Sequence, residues 1–208
     1  MPIPLPVEKY PVIYADPPWA YRKAELVAKT NRVRAVEKEY PTMQPEEIAA
    51  LPIGACAEDN SVLFMWATGP KLPEALMVMA AWGFTFRTIA FVWVKMQGDK
   101  PFMGMGFYTR ANVELVLVGT RGKGRTRKDA GVRQVLLDDF PESEPLLAEI
   151  GEHSRKPAEI RRRIESLYDG PYLELFARDA PDGWRVWGND VPVDREQPIP
   201  MSEWFDDE

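Results

Sequence analysis

The 208 residues carry 26 lysines and arginines against 32 acids, a net charge of −6, with 45% apolar residues, one cysteine and one histidine. Such a chain is long enough for one cored domain; its charge argues against a histone-like or polybasic nucleic-acid binder, and its single cysteine and histidine exclude a disulfide scaffold and a histidine-built metal site. No apolar run approaches the roughly 20 residues of a membrane span.

The N-terminus, Met-Pro-Ile-Pro-Leu-Pro, lacks the basic start and apolar core of a signal peptide, so a soluble, cytoplasmic protein is expected. In chain order, short runs rich in Val, Ile and Phe predict strands over 12–15, 61–67, 85–94, 113–119, 172–176 and 184–187. Helical period falls between them, over 45–51, 70–82 and 154–168; the first two open on Pro45 and Pro70, and the third takes Ser154 as N-cap. Strands alternating with helices imply an α/β domain with a doubly wound, mostly parallel sheet, and the strand at 113–119 suggests an antiparallel edge. Segments 21–40 and 120–150 fit no element and read as binding loops. Seven acids against Arg195 alone occupy residues 190–208. The net charge therefore belongs to an acidic C-terminal tail at 191–208, and residues 1–190 form the balanced domain.

The first strand runs into Asp16-Pro17-Pro18-Trp19. In open α/β sheets ligands bind at the carboxyl ends of strands, and two prolines leave this corner few backbone directions. The Asp16 carboxylate and a nearby main-chain carbonyl make a rigid acceptor pair, suited to an exocyclic amino group whose lone pair must face an electrophile. Trp19 is then placed to stack on the base that carries the amine. On residues alone, a proline turn beside a core tryptophan is as good a reading.

The motif Asp16-Pro17-Pro18-Trp19 resembles the DPPW catalytic motif of the MT-A70 family of adenine-N6 methyltransferases. The resemblance continues in order through Tyr40-Pro41-Thr42-Met43, Tyr108-Thr109-Arg110 and the run from Asn112 to Gly122. It extends through His153-Ser154-Arg155-Lys156-Pro157-Ala158-Glu159, Glu174-Leu175-Phe176-Ala177-Arg178 and Gly183-Trp184-x-x-Trp187-Gly188-Asn189. It is closest to bacterial or phage-type members. It implies a Rossmann-like S-adenosylmethionine-dependent fold with permuted motif order, the catalytic strand first and the cofactor strand near the end. S-adenosyl-L-methionine is expected at Asp16, Lys156, Glu174, Phe176, Arg178 and Asn189, with Lys156 facing the methionine carboxylate and Glu174 fixing Lys156. Asp16, Pro17, Pro18 and Trp19 are the expected catalytic set. No glycine-rich phosphate turn follows Phe176, which suits a cofactor without pyrophosphate. No metal is implied.

Arg121, Lys123, Arg125, Arg127 and Lys128 put five cations into eight residues, and 21–40 adds Arg22 and Lys23 among others. Both segments are expected beside the reactive corner, where Arg22, Lys23, Tyr108, Arg110, Arg121, Lys123 and Arg125 would meet a phosphate backbone, although charge runs are often ordinary solvated loops. Tyr21, Tyr108 and Trp66 are candidates to hold an extruded base, with core packing favoured for Trp66. A duplex hides the adenine amine, so the target must be single-stranded or flipped. The expected activity is DNA adenine-N6 methylation; the alternatives are RNA adenine-N6 methylation and a catalytically silent nucleic-acid-binding subunit. A third reading, methylation of a small amine or a protein glutamine, is disfavoured by Trp19 and the basic loops. A homodimer or a related second subunit remains compatible. His153 reads as a surface or capping residue, Cys56 as core, and Trp82, Trp93 and Trp187 as packing.

Overall fold

The computed structural model describes residues 5–21, 42–104, 108–139 and 156–188. Eight strands form one sheet: β1 (Tyr10–Ala15), β2 (Ala57–Ala67), β3 (Thr85–Gln97), β4 (Lys100–Pro101), β5 (Val113–Arg121), β6 (Val135–Asp139), β7 (Tyr172–Leu175) and β8 (Trp184–Trp187). Their order is β4-β3-β5-β2-β1-β7-β8, with β6 pairing along β3. The pairs β1–β2, β1–β7, β7–β8 and β3–β6 are parallel. Strand β5 runs antiparallel to both β2 and β3. Strand β5 thus lies inside the sheet, flanked on both sides, rather than at an edge as the sequence suggests; the antiparallel edge strand is β4, paired with β3. The overall arrangement is a Rossmann-like α/β fold.

Alternation along the strands divides the core between two faces. Ile13, Ala15, Leu63, Met65, Leu173 and Leu175 point to one face, where Ile48, Ala75, Val78, Met79 and Trp82 pack on them. These last residues come from α1 (Pro45–Ala50) and α2 (Leu72–Ala81) and from the end of α2. Val12, Tyr14, Val62, Phe64, Trp66, Phe91, Trp93 and Val116 point to the other face, covered by Ile160 and Ile164 of α3 (Ala158–Leu167). The two isoleucines are four residues apart, on one stripe of the helix. Helix α1 opens with Pro45 in its first turn, and the Gln44 N–H donates to Glu47 Oε2 at 2.6 Å, so a side chain from the helix satisfies the backbone just before it.

Three expectations are corrected. Helix α3 starts at Ala158, with Pro157 at the capping position, in place of Ser154; Pro157 pushes the residue before it away from helical geometry and so sets the start. Segment 120–150 contains strand β6, whose five residues, Val-Leu-Leu-Asp-Asp, are too short to show a clear period. The 3-10 turn Gly69–Lys71 separates Pro70 from α2, which has Pro73 in its own first turn. Ser154, His153 and the acidic tail lie outside the described residues. No helix among them is long and apolar enough to cross a membrane.

Candidate active site

Strands β1, β2 and β7 end together, and Asp16 follows β1 there; its backbone N–H donates to Leu175 O at 3.4 Å. The proline corner is fixed by its own backbone: Trp19 N–H donates to Pro17 O at 2.9 Å and Met43 N–H to Pro18 O at 2.8 Å. The Asp16 side chain is on the α3 face, as Tyr14 is two residues earlier. Just before α3, Lys156 reaches back, with Nζ 3.2 Å from Asp16 Oδ2 and 3.3 Å from Glu114 Oε2. The other Glu114 oxygen lies 2.6 Å from Lys95 Nζ. Lys156 sits 5.3 Å from the Trp66 ring and Lys95 4.8 Å from the Trp93 ring. Two carboxylates and two ammonium groups thus alternate along the ends of β1, β5 and β3, over a floor of two indoles.

Burial raises the Asp16 pKa more than Lys156 can lower it, and the nearby Glu114 charge adds to the rise. Glu114 is buried as well, but two lysines outweigh that burial and hold its pKa below the ordinary value. Burial alone would lower Lys156; the two carboxylates overcome it and raise its pKa. Asp16 is accordingly the carboxylate in the cluster readier to take a proton, and Glu114 the one that stays charged. Glu114 was missed in the sequence because it sits inside an apolar strand, Val113-Glu114-Leu115, where its only local signal is a charge in a buried run.

Trp19 is packed in the core at 7% exposure, and its Nε1–H donates to Trp66 O at 3.3 Å. Its ring therefore offers little face to an incoming base in this conformation. Tyr21, about half exposed, stands near the cluster instead, within reach of the Glu114, Lys156 and Asp16 charges. Its hydroxyl shares a 2.7 Å hydrogen bond with the Thr68 hydroxyl, and Lys71 Nζ lies 5.4 Å from the ring. Trp66 is a core residue, as expected, and its Nε1–H donates to Tyr14 OH. Cys56 and Trp82 are buried.

On the β7–β8 side, Phe176 adopts a left-handed backbone with φ 60° and meets Trp187 edge-on at 5.3 Å between centroids. The chain returns close to itself: Ala177 N–H donates to Trp187 O at 3.1 Å. A Cβ on Gly188 would fall 2.3 Å from Ala177 O, so only glycine fits. Replacing Gly188 by alanine should cost about 1–3 kcal/mol through forced backbone movement; thermal melting should show it, and an unchanged melting temperature would refute the close approach. Arg178 is near enough for its charge to lower the Asp16 pKa.

Glu174 does not fix Lys156, contrary to the sequence expectation. Both its oxygens are taken by Arg161, at 2.6 and 2.7 Å, because Arg161 lies one helical turn into α3, directly above β7. The basic run is also corrected. Arg121 ends β5 opposite Ser61, and its guanidinium donates to Gly54 O. Lys123 N–H donates to Asn60 Oδ1 at 2.8 Å and Arg125 lies 3.5 Å from Glu58. Since β5 runs backwards and Glu114 is at its start, these cations lie at the far end of the sheet, roughly 25 Å from the cluster at about 3.4 Å per residue. Lys128 pairs with Asp169 at 2.6 Å beyond the end of α3. Tyr108 and Arg110, both exposed, precede β5 and therefore stand at the same end as Asp16. Arg22, Lys23 and Asn189 lie outside the described residues.

The donor set fits S-adenosyl-L-methionine. Its methionine end carries one ammonium and one carboxylate, and Asp16 beside Lys156 supplies one group of each opposite sign. Phe176, 8% exposed and packed on Trp187, closes the β7 side of the same strand ends. Among the described residues no group of three His, Cys, Asp or Glu side chains could hold a metal ion.

A family model described as MT-A70 matches residues 10–190. The type II methyltransferase M.MunI of Mycoplasma sp is 33% identical over 217 residues, covering 98% of this chain and 86% of that protein. An N(6)-adenosine-methyltransferase MT-A70-like protein of Arabidopsis thaliana is 26% identical over 186 residues, covering 86% of this chain and 23% of its own. The human N(6)-adenosine-methyltransferase catalytic subunit METTL3 is 28% identical over 189 residues, covering 88% and 28% respectively. The chain thus spans most of the first protein and about a quarter of the other two.

Proposed function

Because the chain belongs to the MT-A70 family, whose model matches it over residues 10–190, we propose that it is an S-adenosyl-L-methionine-dependent methyltransferase acting on N6 of adenine, with DNA favoured over RNA. The observation that carries this reading is the Asp16 carboxylate, held at the end of β1 beside the Lys156 ammonium at 3.2 Å. DNA is favoured because the relative matched over nearly its whole length is a type II methyltransferase; the N(6)-adenosine-methyltransferases are matched over about a quarter of theirs. The Asp16–Lys156–Glu114 arrangement disfavours a catalytically silent subunit, which has no need of a buried ionic cluster costly to assemble.

The cofactor supplies an electrophilic methyl group, and the chain's residues do the rest by position and charge. Lys156 would hold the methionine carboxylate, Phe176 the apolar part, and Arg178 and Asn189 the ribose. Asp16 and a carbonyl of the Pro17–Pro18 corner accept the two N–H groups of the adenine amine, which turns its lone pair outward. A methyl passing from the sulfonium sulfur to N6 would break its bond to sulfur as the C–N bond forms and leave the amine cationic; Asp16, whose pKa burial has raised, would balance that charge and accept the proton the amine sheds. Positioning supplies most of the rate. Tyr21 is the ring that stacks on the extruded base. Arg22 and Lys23, next in the chain, and Tyr108 and Arg110, at the same end of the sheet, meet the flanking phosphates.

Transfer of labelled methyl groups to single-stranded DNA, duplex DNA and RNA oligonucleotides of one sequence tests the function. Adenine methylation of DNA, strongest on single strands, is the expected result; transfer to RNA alone, or to none, sinks the reading. In the same assay Arg110→Glu should raise KM for the oligonucleotide several-fold, and Lys123→Glu, a Debye length or more away, should leave it within about twofold.

A further inference from the structure

Arg161 has no place in the chemistry above, yet it makes four hydrogen bonds to carboxylate oxygens. From α3 it grips both oxygens of Glu174 in β7, at 2.6 and 2.7 Å, and reaches across to Asp179 with Nη2 2.5 Å from Oδ1 and Nη1 3.5 Å from Oδ2. Glu174 is 5% exposed. Asp179 belongs to the loop between β7 and β8, three residues after Phe176, whose left-handed backbone turns the chain out of the strand. A second fastening holds the loop from the other side, Ala177 N–H to Trp187 O at 3.1 Å. Arg178 lies between the two fastenings, with its charge acting on Asp16.

We propose that Arg161 is a positioning residue for cofactor binding: its guanidinium clamps Asp179 to Glu174 and thereby fixes the 176–179 loop, with Phe176 and Arg178, beside Asp16. The planar fork of an arginine is what this geometry requires, since it must take both oxygens of Glu174 and reach Asp179 as well. Lysine presents a single point charge and cannot reproduce the two-pronged grip on Glu174 while holding Asp179. Fixing the loop in advance removes an ordering cost from binding. The proposal rests on the reading that S-adenosyl-L-methionine binds over the ends of β1 and β7.

Replacing Arg161 outright would leave Glu174 buried without a partner and endanger folding, so the test uses Asp179→Asn, which keeps the Arg161–Glu174 pair, together with Arg161→Lys. By calorimetry with S-adenosyl-L-methionine, Asp179→Asn should weaken binding about tenfold through lost preorganisation, with oligonucleotide affinity unchanged. Arg161→Lys should fall between wild type and Asp179→Asn, and the double variant should be no worse than the worse single one. Hydrogen exchange in the ligand-free protein should quicken at the amides of residues 177–180 in both variants. Wild-type cofactor affinity in both variants overturns the proposal, whatever their stability. Wild-type protein that binds no cofactor overturns the reading of the site, and the exchange measurement still reports on the clamp: unaltered exchange removes the clamp itself.

Discussion

Asp16→Ala should lower the rate of methyl transfer by about 10²–10³, the usual effect of deleting one preorganised polar group at a centre where charge develops. The fold should survive. Lys156 keeps Glu114 at 3.3 Å, so no buried ammonium is stranded, and Asp16 is a carboxylate whose burial already disfavours its charged form. A melting temperature within a few degrees of wild type should therefore accompany the lost activity. Asp16→Asn separates the two tasks of the carboxylate. The amide still offers an oxygen to the adenine amine, but it carries no charge for a cofactor ammonium or for the cationic product. Single-turnover transfer at saturating cofactor should recover part of the loss in Asp16→Asn and none in Asp16→Ala. Undiminished turnover in either variant would remove Asp16 from the reaction.

The catalytic corner was legible in the sequence because its residues are contiguous and chemically unusual: an acid, two prolines and a tryptophan at the end of an apolar run. Lys156 was legible only through the family resemblance. What held it was not, since Asp16 and Glu114 are 98 positions apart and meet because β5 runs antiparallel with its start at the active end. The same reversal accounts for the error over the basic run. A loop following a strand is expected at the active end of a parallel sheet, and β5 delivers Arg121, Lys123 and Arg125 to the opposite one. Trp19 was read by type, as a ring available to a base, whereas its neighbours in space, Trp66 and the α1–α2 face, bury it. Arg161 carried no signal, because an arginine on the charged side of an amphipathic helix reads as solvated. Its partners are a strand residue and a loop residue that only the tertiary fold brings beneath it.

Lys156→Met should be the most damaging single replacement in the cluster, with a penalty that depends on pH. Removing the ammonium takes from Asp16 its counter-ion at 3.2 Å and leaves it the weaker pull of the Arg178 charge, whereas Glu114 keeps Lys95 at 2.6 Å. Breaking one partner out of a buried ionic group costs about 3–5 kcal/mol, or on the order of 10 °C in melting temperature for a chain of this size. In wild type the Lys156 pKa is raised by the two carboxylates, so its stabilising contribution is complete below the ordinary lysine range and fades only at strongly alkaline pH. Without it, the Asp16 pKa, already raised by burial, must rise further. A group whose pKa is higher in the folded state than in the unfolded one binds its proton preferentially when folded. It therefore favours folding most at low pH and loses that advantage as pH climbs through the folded value. The difference in melting temperature between Lys156→Met and wild type should consequently be small near the ordinary aspartate range and widen toward neutral pH. Lys156→Arg, which keeps the charge, should show little of that widening. A difference constant across pH would mean that Lys156 stabilises the fold by packing over Trp66 instead, and would place Asp16 outside its electrostatic control.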